Sequence, residues 1–128
     1  MNKLIIDAAS EKIFLMIISN ASIYNINHEN TKINYEKLTI IINDFLSSKS
    51  IKITDIKAIY INQGPGSFAG IRNSMSVVKA FNVAKNIDYY CYNLDVFKDE
   101  NDLSYENIPD LCKKYKIKKN LINPIYIS

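Results

Sequence analysis

At 128 residues, with 48% hydrophobic and 23% charged residues, the chain has the composition of one ordinary globular domain, long enough to bury about two-thirds of its unfolded surface. Its longest apolar run, Ile13 to Ile18, is far short of the ~20 residues that cross a bilayer; Met1-Asn2-Lys3, followed by three apolar residues and Asp7, lacks a signal-peptide core, so a cytoplasmic location without membrane contact is expected. A net charge of +3 is too mild to indicate a nucleic-acid partner by itself, and Cys91 and Cys112 are too few for a disulfide framework or a zinc site and read as buried free thiols.

Lys3 to Asp7, Lys12 to Ile18 and Ser22 to Ile26 read as three short strands separated by polar breaks, which is the pattern of a meander. No glycine marks the breaks, so Asn20 is the expected left-handed residue between the second and third strands. From Thr31 to Ser48 the period becomes helical. Tyr35, Leu38, Ile41, Ile42, Phe45 and Leu46 share an arc of about 140° at 100° per residue, with Ile40 nearly opposite and therefore exposed if the helix meets only its own sheet. Thr54-Asp55 turns the chain into Ile56 to Ile61, a strand apolar on both faces as central parallel strands are.

The helix from Ile71 to Ile87 carries two apolar arcs. Ile71, Met75, Val77, Val78 and Phe81 form one, and Ala80, Val83, Ala84 and Ile87 the other. A helix packed only on its own sheet needs one such stripe, so the second points to a partner or to self-association. Asp88 to Leu94 is a fifth strand, Asp95 to Asn107 a polar stretch, Pro109 to Tyr115 a short helix, and Leu121 to Ile127 a last strand that Pro124 keeps at an edge. The order βββαβαβ is an α/β layout with parallel crossovers in its second half.

All three glycines and the only arginine lie in Gly64-Pro65-Gly66-Ser67-Phe68-Ala69-Gly70-Ile71-Arg72, between a strand and a helix. Glycine allows positive φ and close backbone approach, and Ser67 is placed to cap the helix. Backbone N–H groups at a helix N-terminus suit an anion, but neither the Walker nor the dinucleotide spacing is present, and a purely structural turn is the alternative. Asp7 ends the first strand, where an acid suits a hydrated magnesium ion beside a nucleotide. Ala8 and Ala9 bring no supporting hydroxyl, and a capping aspartate is the other reading. His28, the only histidine, reads as a loop residue, since it completes no metal site or triad. Six acids between Asp95 and Asp110 precede Lys113, Lys114, Lys116, Lys118 and Lys119. That run is either a solvated tail or a contact for an RNA backbone.

The Gly64 to Arg72 stretch, preceded by Ile59-Tyr60-Ile61 and followed by Lys79-Ala80-Phe81, resembles the signature of the bacterial TsaB (YeaZ) family of tRNA threonylcarbamoyladenosine biosynthesis proteins. Leu4-Ile5-Ile6-Asp7, His28-Glu29, Asp55-Ile56 and Tyr92-Asn93-Leu94 extend the resemblance over residues 1 to about 97. It implies an actin-like (ASKHA, ribonuclease H-like) lobe over 1–97, with 98–128 a reduced, partly irregular remnant of the second lobe that members usually carry. Pro124-Ile125-Tyr126-Ile127 is similar to the family's Pro-x-Tyr-Leu ending.

By the same resemblance the chain is a non-catalytic partner of the catalytic subunit TsaD. With an accessory P-loop ATPase, the complex transfers threonylcarbamoyl to adenosine 37 of tRNAs reading ANN codons. ATP and magnesium are used by the complex and none is bound by this chain alone; tRNA is met through the complex, and the isolated chain forms a homodimer. The implied motif loop is Gly64, Pro65, Gly66, Ser67, Gly70 and Arg72. The expected partner interface is Ile71, Met75, Val78, Phe81 and Asn82, and Asp7 is the possible remnant of a nucleotide and magnesium site. Ala69 stands where members usually have threonine, and Ala8 and Ala9 where they have hydroxyl residues. The catalytic subunit's pair of metal-binding histidines has no counterpart, and no protease constellation is present.

Overall fold

The computed structural model describes residues 2–122 and the backbone of 126 and 127. Asn2–Asp7 (β1), Lys12–Ile18 (β2) and Ile23–Glu29 (β3) form the antiparallel meander expected, with Asp7 opposite Phe14 and Ile13 opposite His28. Two helices follow, Lys32–Glu36 (α1) and Leu38–Ser48 (α2), then strands Ile56–Asn62 (β4) and Gly66–Ser67 (β5) and the long helix Phe68–Lys85 (α3). Asp88–Tyr92 (β6), helix Ile108–Lys114 (α4) and Tyr126–Ile127 (β7) complete the order. The five-stranded sheet runs β3-β2-β1-β4-β6, with β1, β4 and β6 mutually parallel. The parallel crossovers fall in the second half of the chain, as its order implied.

Strand periodicity divides the core in two. Leu4, Ile6, Leu15, Ile59, Ile61 and Cys91 face one way, where α2 and α3 cover them with Leu38, Ile42, Phe45, Ile71, Met75 and Val78. Ile5, Met16, Ala58, Tyr60 and Tyr92, each one residue out of phase, face the other way beneath Phe97, Ile108, Leu111 and Cys112. Residues beyond Phe97 therefore supply the second cover of the sheet, and β4 is buried on both faces. Cys91 and Cys112 are free and buried, and burial pushes both thiols up to about 12.

Several boundaries differ from the sequence reading. The helix expected over 31–48 is divided at Lys37, whose φ of −100° and ψ of 11° leave the helical range, while Thr31 caps its start by accepting from Asn34 N–H at 3.2 Å. The third strand continues to Glu29 because its ladder with β2 runs the full length of that strand, so His28 sits in a strand rather than a loop. Asn20 has no positive φ, since Ser19 N–H closes the turn on Ser22 O at 2.9 Å and its hydroxyl repeats that contact. The left-handed non-glycine residues among those described are Ser50, Asn86, Lys116 and Asn120.

Within the expected last strand, only Tyr126–Ile127 pair among the described residues, parallel to β5, and Pro124 lies outside them. Leu121 and Ile122 do not extend the sheet. Asn120, at φ 60°, docks on the edge of β6 instead: its N–H reaches Tyr89 O at 2.7 Å and its Oδ1 accepts from Tyr89 N–H at 2.9 Å. Asn120 thereby satisfies both backbone groups of Tyr89, and Lys119 bridges to Tyr90 beside it, on an edge strand otherwise open to further pairing.

Candidate functional site

The glycine stretch leaves the end of β4 and packs its backbone directly on the Ala8-Ala9 turn that follows β1. A Cβ on Gly66 would stand 2.2 Å from Ala9 O, and one on Gly70 1.8 Å from Ala8 O. Ser67 N–H donates to Ala9 O at 2.8 Å. Gly64 is needed for a different reason, a φ of 110°, and its N–H donates to Asn62 Oδ1 at 2.9 Å. Ser67 caps α3 by accepting from Gly70 N–H at 3.1 Å, and Tyr35 reaches the same hydroxyl at 3.3 Å. Asn30 donates from the far side to Ala8 O at 3.2 Å and to Ser10 O. Each glycine thus answers to the protein's own backbone, and the N–H groups of Gly64, Ser67 and Gly70 are taken by internal acceptors, which favours the structural turn over the phosphate cradle.

Asp7, only 5% exposed, is equally committed. Its Oδ1 accepts from Ala9 N–H at 3.0 Å, while Oδ2 accepts from Asn62 Nδ2 at 3.2 Å and from the Tyr105 hydroxyl at 2.8 Å. Tyr105 arrives on a short turn, Tyr105–Asn107, and its ring stacks on Phe14 at 4.0 Å between centroids. Burial, and then the Asp7 charge, push the Tyr105 phenol well above its ordinary value, so it remains a proton donor. Three protein donors meet the Asp7 carboxylate, the arrangement of an anchored capping acid. Beside it the Tyr92 hydroxyl is fully buried with no hydrogen-bond partner.

Nothing short-range announces Tyr105 in the sequence. The one available signal was an aromatic residue in a largely polar stretch. Asn62 was likewise hidden at the end of an apolar strand.

On α3 the structure reverses the expected assignment of faces. Ile71, Met75, Val78 and Phe81 are all less than 9% exposed, turned onto the chain's own sheet, because they continue the apolar register set by the cap at Ser67. Asn82 is held internally too, donating to Ile87 O at 2.9 Å. The outward arc is the other one in part: Ala80, Val83 and Ala84 are exposed, and Val83 reaches 77%, whereas Ile87, expected in the same arc, lies beyond the helix end at Lys85 and is buried in the core. Arg72 lies on this outer side with its guanidinium 5.9 Å from the centre of the half-exposed Phe68 ring. The other helices of this layer add two exposed isoleucines, Ile33 on α1 and Ile40 on α2.

Residues 29–93, just over half of the chain, match the family model described as TsaD, tRNA N6-adenosine threonylcarbamoyltransferase. The chain belongs to that family. No match was found among curated protein sequences. Among solved structures, YeaZ from Pseudomonas aeruginosa superposes with a TM-score of 0.67 at 18% identity, over 76% of this chain and 46% of YeaZ. A Pseudomonas aeruginosa protein described as similar to the peptidase YEAZ gives 0.66 at 16% identity, over 77% and 49%. Thermus thermophilus RuvC, solved with a Holliday junction substrate, gives 0.56 at 10% identity, over 96% and 83%. At these identities the likeness establishes the fold, which is the actin-like and ribonuclease H-like one. The chain spans about half the length of the two YeaZ-type structures. No described helix is long and apolar enough to cross a membrane.

Proposed function

We propose that the chain is a TsaB-type, non-catalytic scaffold and activator of the tRNA threonylcarbamoyl transferase that makes N6-threonylcarbamoyladenosine at adenosine 37 of tRNAs reading ANN codons. The observation that carries this reading is the outer surface of the helical layer, where Ile33, Ile40, Phe68 and Val83 are at least half exposed. Large apolar side chains on neighbouring helices, with the inner stripes already buried, suit a protein partner. The partner proposed is the catalytic subunit TsaD, with a P-loop ATPase as accessory subunit and tRNA met through the complex. Two further features support a non-catalytic role: the chain has a single histidine, and the Asp7 carboxylate is hydrogen-bonded to Ala9, Asn62 and Tyr105 of the chain itself. ATP and magnesium then belong to the complex.

The test is co-purification with the catalytic subunit. Ala80→Asp with Val83→Asp is expected to abolish complex formation with an unchanged circular dichroism spectrum, because both side chains are exposed. Undiminished complex formation by this variant would sink the proposal. Calorimetry of the isolated chain with ATP and magnesium addresses the alternative of a free-standing nucleotide-binding enzyme, and no binding heat is expected. Light scattering of the isolated chain reads whether the same face pairs two copies, which the proposal expects.

A further inference from the structure

Away from the helical layer, where α4 crosses the second face of the sheet, a cavity of about 500 Å³ is lined by Lys3, Tyr60, Tyr90, Asp110, Lys113 and Lys116, among others. A second recess of about 210 Å³ shares Lys116 with it and adds Lys118. Four lysines therefore line the two recesses against one acid, Asp110. The lysine-rich run separates into two groups. Lys114 pairs with Glu100 at 2.8 Å and Lys119 with Asp88 at 3.5 Å, and neither lines a recess. Lys3, Lys113, Lys116 and Lys118, which do, form no ion pair among the described residues. The acids that precede the run thus leave the cleft cationic.

An aromatic wall accompanies the charge. Tyr60 and Tyr90 stack at 5.1 Å between centroids, 11° from parallel, and Tyr60 is buried while Tyr90 is half-buried. Desolvation pushes the Tyr60 phenol up to about 12, so it stays neutral beside the lysines. Cations spaced along a groove, with a flat ring between them, are the combination that follows a phosphate backbone and stacks a base. The two recesses share Lys116 and Ile117 and so adjoin, which distributes the four lysines over two neighbouring openings rather than around one small anion.

We infer that this cleft tracks the phosphate backbone of a nucleic-acid strand, with a base set against Tyr90. Its identification with RNA rests on the function proposed above, while its preference for a polyanion does not. The test is fluorescence polarisation of the full chain with a labelled, unmodified tRNA transcript, titrated over a range of salt. Lys113→Glu with Lys116→Glu is expected to weaken binding at least about tenfold and to lower the magnitude of the log–log salt slope by about 1.4, at about 0.7 for each single-strand phosphate that a lysine no longer neutralises. The charge-matched control, Lys32→Glu on α1 with Lys37→Glu just beyond its end, is expected to bind as the parent does.

Equal weakening by the control, or no RNA binding by the parent chain, overturns the inference. Complete displacement of the transcript by millimolar AMP overturns the strand reading in favour of a mononucleotide site. Co-purification with the catalytic subunit, run on the same variants, separates the two proposals: the doubly substituted cleft is expected to keep the complex. Complex formation without lysine-dependent RNA binding removes only the cleft. Lysine-dependent RNA binding without a complex removes only the scaffold.

Discussion

Around Asp7 and the glycine turn, small atoms set the geometry. Gly70 has Ala8 O where a Cβ would be, at 1.8 Å, and the obstacle is backbone, which cannot swing aside as a flexible side chain does. Gly70→Ala is therefore expected to cost about 3 kcal/mol, the upper end for overpacking a filled site, read as a lower urea midpoint. Two tyrosines nearby make opposite predictions. Tyr105→Phe removes a 2.8 Å hydrogen bond to the buried Asp7 carboxylate and is expected to cost about 2 kcal/mol, in the range for bonds to charged groups. Tyr92→Phe removes a buried hydroxyl that has no partner and is expected to be neutral or stabilising by about 1 kcal/mol. Parallel urea curves for the two variants check the pair; similar losses in both would mean that the assigned hydrogen bonding is wrong.

At the scale of elements, α3 shows what periodicity does and does not convey. Both of its apolar arcs were legible in the sequence, as were the meander, the doubly buried β4 and the buried stripe of α2. Which arc of α3 faces inward was not, because both arcs are apolar and the choice depends on how Ser67 and the glycine contacts with Ala8 and Ala9 orient the helix. Those contacts join residues some sixty positions apart in the chain, beyond any local signal. The same holds for Tyr105, which meets Asp7 from 98 residues away. The orientation makes a sharp prediction: Val78→Asp, at 1% exposed, places an unpaired charge in the core and is expected to cost at least about 4 kcal/mol. Val83→Asp, at 77% exposed, is expected to stay within about 0.5 kcal/mol of the parent. Thermal melts of the two single variants compare them directly, and a large loss in Val83→Asp would mean that this face is covered.

For the whole molecule, the sheet is a single layer with a cover on each face, and acidic protons are locked into both halves. Cys91 lies under the helical layer and Cys112 under the C-terminal cover. Burial raises both thiols from 9.0 to about 12, and raises Tyr60 from 10.0 to about 12. Tyr89 and the fully buried Tyr92 move in the same direction, again chiefly through burial. In the unfolded chain these groups release their protons at ordinary values, so the unfolded state loses protons first as pH rises. Stability conferred by the raised values is fully present below pH 9, starts to fall as the unfolded thiols ionise, falls further as the unfolded tyrosines follow near pH 10, and is lost through about pH 12. Urea midpoints are accordingly expected to be flat near neutrality with respect to these groups and to decline steadily above pH 9. The chain has nine tyrosines and no tryptophan, so ultraviolet difference absorbance reads tyrosinate without interference. In the folded protein the buried Tyr60 and Tyr92 are expected to ionise only at the alkaline transition, in step with loss of secondary structure. Native thiols should likewise resist a disulfide reagent until that transition. Ionisation of Tyr60 and Tyr92 near pH 10 in a still-folded chain would mean that the two covers leave the sheet open to water.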